Sequence, residues 1–160
     1  MTLDVAVTPV RKSVMLKTDP AHAFAVFTSG IDRWWPKDKS IGNGPVKRTI
    51  IEPRKGGRWY TEHDDGSEAT TGHVLVWEPP SRVVFSWEIS ADWKPEANRA
   101  YASEVEIRFT PRESGTLVEL EHRNFERMPD GGARMRSAVE GGWTGILALA
   151  VQAAEGQSSL

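Results

Sequence analysis

The side chains best able to move a proton in this chain are histidines and carboxylates, and two of them fall on strand faces that alternation turns toward a core. His122 continues the row Val118, Leu120 along a segment whose other side carries Glu119 and Glu121. There it is placed to hold a ligand oxygen or shuttle a proton. A strand-end histidine reaching solvent or a backbone carbonyl is the competing reading. Glu52 shares a face with Arg48 and Ile50 if its strand is regular. Buried, its carboxyl would have a raised pKa and serve as an acid or base; exposed before Pro53, it would not. His73 lies in Gly72-His-Val-Leu-Val-Trp77, where both faces are apolar and its direction is undetermined. His22 on a capped helix and His63 beside Asp64-Asp65 read as exposed. Tyr60 either orients a ligand or sits outward beside Arg58.

Other chemistries find less support. No pair of histidines or carboxylates has a metal-ligand spacing such as HExxH, so no metal site is expected. There is no cysteine and no GxSxG, which leaves no nucleophile with a recognisable base. Arg54-Lys-Gly-Gly57 lacks the GxxxxGK pattern of a phosphate loop and reads as a turn. No cofactor is expected.

The aromatic residues carry the stronger signal. Seven Trp stand beside five Phe and two Tyr, so half of the aromatics are the largest and most amphipathic type. Each indole brings an N–H that wants a partner, and lining a cavity is one use for so many. Phe85, Trp87, Val105, Ile107 and Leu120 face inward by alternation, and Trp143 and Leu147 by helical stripe. Trp34 and Trp35 sit where short helices would rim a cavity, and Trp59 completes the candidate lining. Trp77 is undecided. The alternative is that these indoles meet and fill the space.

The elements that must position these residues follow from periodicity. Residues 10–17 read as a first strand. Thr18-Asp19-Pro20 caps a helix with proline at its first position, Ala23, Phe24 and Phe27 take helical spacing, and Gly30 ends it. Ile31 to Pro36 is a second short helical turn. From 45 to 123 the period becomes two, giving six strands at 46–53, 57–62, 68–77, 82–89, 103–110 and 115–123, with Asp64-Asp-Gly66 as a hairpin signal. The strands at 82–89, 103–110 and 115–123 are one-sided, as antiparallel strands with one wet face are. The last segment is an amphipathic helix, with Asp130 as a candidate cap and an apolar stripe Met135, Val139, Trp143, Ile146, Leu147, Ala150, Ala154. Gly141-Gly142 in its middle costs about 1 kcal/mol per glycine, so either the helix bends there or another segment packs close. A curved sheet with one apolar face needs this helix as its cover, which is an α+β helix-on-sheet fold.

Composition sets the outer bounds. One domain, 1–160 with a core at about 10–155, is expected from 160 residues. Twenty Lys+Arg against 22 Asp+Glu gives a net charge of −2, which argues against nucleic acid and offers no polybasic membrane patch. The longest apolar run, Gly145 to Val151, is far below the roughly 20 residues needed to span a bilayer. The N-terminus lacks the pattern of a secretory signal, so a cytoplasmic location is expected.

The order β-αα-β6-α is similar to the START-like, birch-pollen-allergen-like (helix-grip) superfamily. Several local sequences resemble its branch named after the activator of the heat-shock-protein-90 ATPase. They are Asp19-Pro-Ala-His-Ala-Phe24, Ile31-Asp-Arg-Trp-Trp-Pro36, Glu52-Pro-Arg-Lys-Gly-Gly57, Gly72-His-Val74 with Glu78-Pro-Pro80, Arg82-Val-Val-Phe-Ser-Trp87 and Gly141-Gly-Trp143. The resemblance implies a hydrophobic cavity between the last helix and the concave sheet. It also implies a function as a binding protein for an apolar or aromatic small molecule. Two alternatives come with it. One is a cyclase, dehydratase or hydrolase using His122 and Glu52; the other is a co-chaperone-like interaction domain of the stress response with a chaperone as partner. A homodimer is also left open.

Overall fold

The computed structural model describes residues 8–38, 41–42 and 44–156. Strand β1 (Val10–Leu16) leads into helix α1 (Pro20–Phe27) and a single 3-10 turn at Ile31–Arg33. Six strands follow: β2 (Val46–Ile51), β3 (Arg58–His63), β4 (Glu68–Glu78), β5 (Arg82–Trp87), β6 (Ser103–Arg112) and β7 (Gly115–Arg123). Helix α2 (Gly132–Gly156) closes the chain. All seven strands form one antiparallel sheet in the order β1-β7-β6-β5-β4-β3-β2, so the first strand pairs with the last. The helix-grip α+β fold implied by the resemblance is the one observed.

The local reasons match the residues. Asp19 caps α1, accepting the His22 backbone N–H at 2.8 Å, and Pro20 fills a first-turn position that needs no donor. Helix α2 is continuous and packs against β1 and α1. It starts one residue later than an Asp130 cap requires, because its first intrahelical bond runs from Met135 N–H to the Gly131 carbonyl. Its stripe is buried at Met135, Val139, Trp143, Leu147 and Ala150, with Ile146 and Ala154 half-buried.

Between α2 and the sheet lies one apolar core, into which Val83, Phe85, Trp87, Val105, Ile107, Phe109, Val118 and Leu120 project. Strand β4 carries the irregularities that shape it. Trp59 pairs with Gly72 and Tyr60 with Thr70, which leaves Thr71 as the extra, bulged residue. Gly72 is required there, since a Cβ would sit 1.7 Å from the Ser86 carbonyl oxygen.

The convex face departs from simple alternation. Glu106, on the outward row, is buried beneath the aliphatic stems of arginines that cross to it. Arg82 Nε lies 2.7 Å from its carboxylate and Arg108 Nε 2.6 Å, and Arg123 also donates to it. Burial alone would raise the Glu106 pKa, but the three guanidinium hydrogen bonds outweigh it and hold the carboxyl at about 2.

Candidate functional site

The candidate proton carriers are placed by the structure in supporting positions. His122 is fully buried, and both of its ring nitrogens are occupied. The Trp143 indole N–H donates to Nδ1 at 3.1 Å, and Ser103 Oγ lies 2.8 Å from Nε2. An indole nitrogen can only donate, so Nδ1 must hold a lone pair. His122 is therefore the neutral tautomer with its hydrogen on Nε2, pointing at Ser103. Burial drives its pKa down to about 3. Phe125 stacks at 4.6 Å and Trp87 meets it edge-on at 5.0 Å.

Glu52 is half-buried in the β2–β3 turn, where Oε1 accepts the Arg58 backbone N–H at 2.8 Å and Arg54 at 3.4 Å. The buried residues of β2 are Val46, Thr49 and Ile51, so the face Glu52 shares with Arg48 and Ile50 is the outward one, and the strand itself stops at Ile51.

The other polar candidates are also resolved. His22 is exposed. His63 is not: it is 1% exposed, with Nδ1 3.1 Å from the Gly44 carbonyl and Nε2 2.9 Å from Thr61 Oγ1. The adjacent aspartates suggested solvent, but His63 continues the inward row Trp59, Thr61 and lies against Gly42 and Gly44. His73 faces outward, with Nδ1 2.7 Å from the buried Glu88 carboxylate, which also takes the Ser86 hydroxyl at 2.5 Å. Tyr60 lies outward under Arg58, whose guanidinium sits 4.0 Å from the ring centre.

The aromatic set borders two spaces, with Trp35 and Trp143 in the wall of both. Trp34, Trp59, Phe85, Val105 and Ile107 enclose a void of only about 10 Å³, so the deep interior is filled by its own side chains. Trp34 is fixed there by its N–H bond to the Val26 carbonyl at 2.8 Å. Leu120 and Leu147 are buried in the same core.

Toward one end, α2 and the sheet part to leave a cleft of about 360 Å³. Of the candidate residues Trp35, Trp87 and Trp143 line it, with Trp35 and Trp87 about 6 Å from Trp143. Val139, Gly142 and Ile146 of α2, and Ile89 and Trp93 beyond β5, complete most of its apolar wall. Asp38 and the bulged Thr71 supply its polar side chains.

Two of these features escaped the sequence. Trp93 sits in the β5–β6 connection, which periodicity does not describe. It is 46% exposed and holds φ at 62°, a left-handed conformation unusual for a bulky residue and one that clusters at functional sites. The turn is held by Trp93 N–H to the Ser90 carbonyl at 2.9 Å, and Asp92 ties it to Arg134 of α2 at 3.1 Å. Thr71 was hidden because a bulge resets strand parity. For the glycine pair, close approach of another segment is the alternative that fails: a Cβ at Gly141 or Gly142 meets nothing within 4 Å. Gly142 instead borders the open cleft.

No curated protein matches the sequence. Among solved structures, the anthrahydroquino-gamma-pyrone synthase Txn09 is similar at 36% identity over 84% of this chain and 88% of that one, with a TM-score of 0.59. The AHSA1-like protein of Aeromonas hydrophila shares the fold at 17% identity, 94% coverage of both chains and a TM-score of 0.62. Protein NE0264 of Nitrosomonas europaea shares it at 15% identity, 98% and 99% coverage and a TM-score of 0.68. No helix among the described residues is long and apolar enough to cross a membrane. Residues 17–153 match the family model described as Activator of Hsp90 ATPase homolog 1-like protein, and the chain belongs to that family.

Proposed function

We propose that this protein binds an apolar, aromatic small molecule in the cleft between α2, β5 and the Trp93 turn. The observation that carries the reading is the contrast between two spaces built from the same residue types. The interior void is too small for more than a water, whereas the cleft lies within the size range of small-molecule sites. Four indoles around an open volume offer flat, rigid faces to a planar ligand. Titration with the neutral fluorescent probe N-phenyl-1-naphthylamine tests it. Saturable one-to-one binding that Gly142→Leu abolishes is expected. Binding that is absent, or indifferent to that substitution, overturns the reading.

A second reading, an enzyme closing a ring on an aromatic substrate, is favoured by the 36% identity to the Txn09 synthase. His122 and Glu52 give it little, since neither lines the cleft. Among the described lining residues, the group able to take a proton is the Asp38 carboxylate. In this reading the Asp38 carboxylate accepts a proton from the substrate while Thr71 orients the ligand oxygen. Asp38→Asn is then expected to lower kcat by about 100-fold or more. An unchanged kcat on a substrate the protein turns over would remove Asp38 from the chemistry.

A further inference from the structure

The cleft is distinctive in charge as well as in aromaticity. Among the described residues its lining holds four indoles, one carboxylate and neither lysine nor arginine. Asp38 is exposed and makes no ion pair among the described residues. Among the described residues, Lys37 is committed to Asp32 at 2.6 Å and Arg134 to Asp92 at 3.1 Å. Lys94, next to Trp93 in sequence, is exposed and lies outside the lining. A neighbouring hollow that shares Ile41 with the cleft has Glu68, Glu88 and Glu96 in its wall; Glu68 is paired with Arg58 at 3.1 Å and Glu88 with Arg99 at 3.4 Å, which leaves Glu96 as its carboxylate without an ion pair among the described residues.

These observations have one electrostatic sense. The face of an indole carries the negative end of the ring quadrupole and is the best aromatic partner for a cation. A lone carboxylate at the mouth attracts the same charge and repels an anion. An anionic ligand would find no lysine or arginine among the described residues of the wall to replace its water.

We infer that the cleft selects cations: an aromatic or alkyl body carrying an ammonium group, whose charge rests on the indole faces with Asp38 as counter-ion. The inference rests on the cleft being the binding site and goes beyond it in fixing the charge of the ligand. Asp38 is exposed and contributes modestly by itself, so the indoles of Trp35, Trp87, Trp93 and Trp143 supply most of the preference.

The test compares two probes of one shape, (2-naphthylmethyl)trimethylammonium and its uncharged carbon isostere 2-neopentylnaphthalene, by tryptophan fluorescence and calorimetry. The ammonium is expected to bind about tenfold tighter. Asp38→Asn is expected to cut that ratio about threefold without changing affinity for the hydrocarbon. The preference also shrinks on raising salt to about 0.5 M. Because Asp38 is exposed and makes no ion pair among the described residues, its substitution leaves the fold intact. Trp93→Ala, on the half-exposed turn, serves as the second variant and lowers the ratio through the indole. Equal affinity, or tighter binding of the hydrocarbon, overturns the charge selection while leaving the binding reading standing. Failure of both probes to bind overturns the two together.

Discussion

Gly142→Ala separates what the helix gains from what the cleft loses. Gly142 is interior to a continuous 25-residue helix, where alanine is favoured over glycine by about 1 kcal/mol. The methyl meets no atom of the protein within 4 Å, so no packing strain offsets that gain. At this chain length about 1 kcal/mol raises Tm by roughly 2–4 °C. The same methyl protrudes into the cleft wall, where a ligand packed against the helix must shift to clear it. Overpacking of about 1 kcal/mol corresponds to roughly fivefold weaker binding of N-phenyl-1-naphthylamine. Gly141→Ala and Gly145→Ala are the controls, since both positions are exposed and open but neither lines the cleft. All three variants should melt higher, and only Gly142→Ala should bind more weakly. A destabilised Gly142→Ala would refute the helix register, and equal affinity across the three would refute the placement of the ligand.

Three further outcomes follow from the same coordinates. His122 has a folded pKa near 3 against about 6.5 unfolded, so below pH 6.5 the unfolded chain takes up a proton that the folded chain refuses. Stability is therefore fully present above pH 6.5 and falls as pH drops toward 3. Urea unfolding should show a loss of about 2 kcal/mol between pH 7 and pH 5, largely removed by His122→Gln. Trp143→Phe leaves His122 Nδ1 without its donor and should cost about 1–3 kcal/mol, with the lost ring volume adding to it; an unchanged urea midpoint would contradict the hydrogen bond. Trp93→Gly relieves the positive φ, so stability should hold or rise by about 1 kcal/mol while probe affinity falls. If both fall together, Trp93 packs as core rather than as cleft wall.

How much was legible follows from which rule governed each residue. The element order could be read because Asp19-Pro20, the alternating strands and the α2 stripe are all local patterns whose period the core enforces. His122 and Trp143 were rightly turned inward by those periods, but their mutual hydrogen bond joins β7 to α2, and no one-dimensional pattern encodes it. Glu106 shows the limit of alternation: its outward row is correct, yet arginines from three positions bury it. His63 shows the limit of composition, since neighbouring aspartates do not expose a side chain whose strand parity points in. The division of the space between the indoles into a filled interior and an open cleft was beyond the sequence. It depends on where α2 leaves the sheet, on the bulge at Thr71 and on the Trp93 turn.

The most direct test is a titration of uniformly ¹⁵N-labelled protein with N-phenyl-1-naphthylamine, following the seven indole N–H resonances. The account predicts that the signals of Trp35, Trp87, Trp93 and Trp143 shift together and saturate at one equivalent. Trp34, bonded to Val26, and Trp77, packed edge-on to Phe24 at 5.0 Å, should stay in place. Shifts confined to Trp34 or Trp77, or no shifts at all under saturating probe, would contradict it.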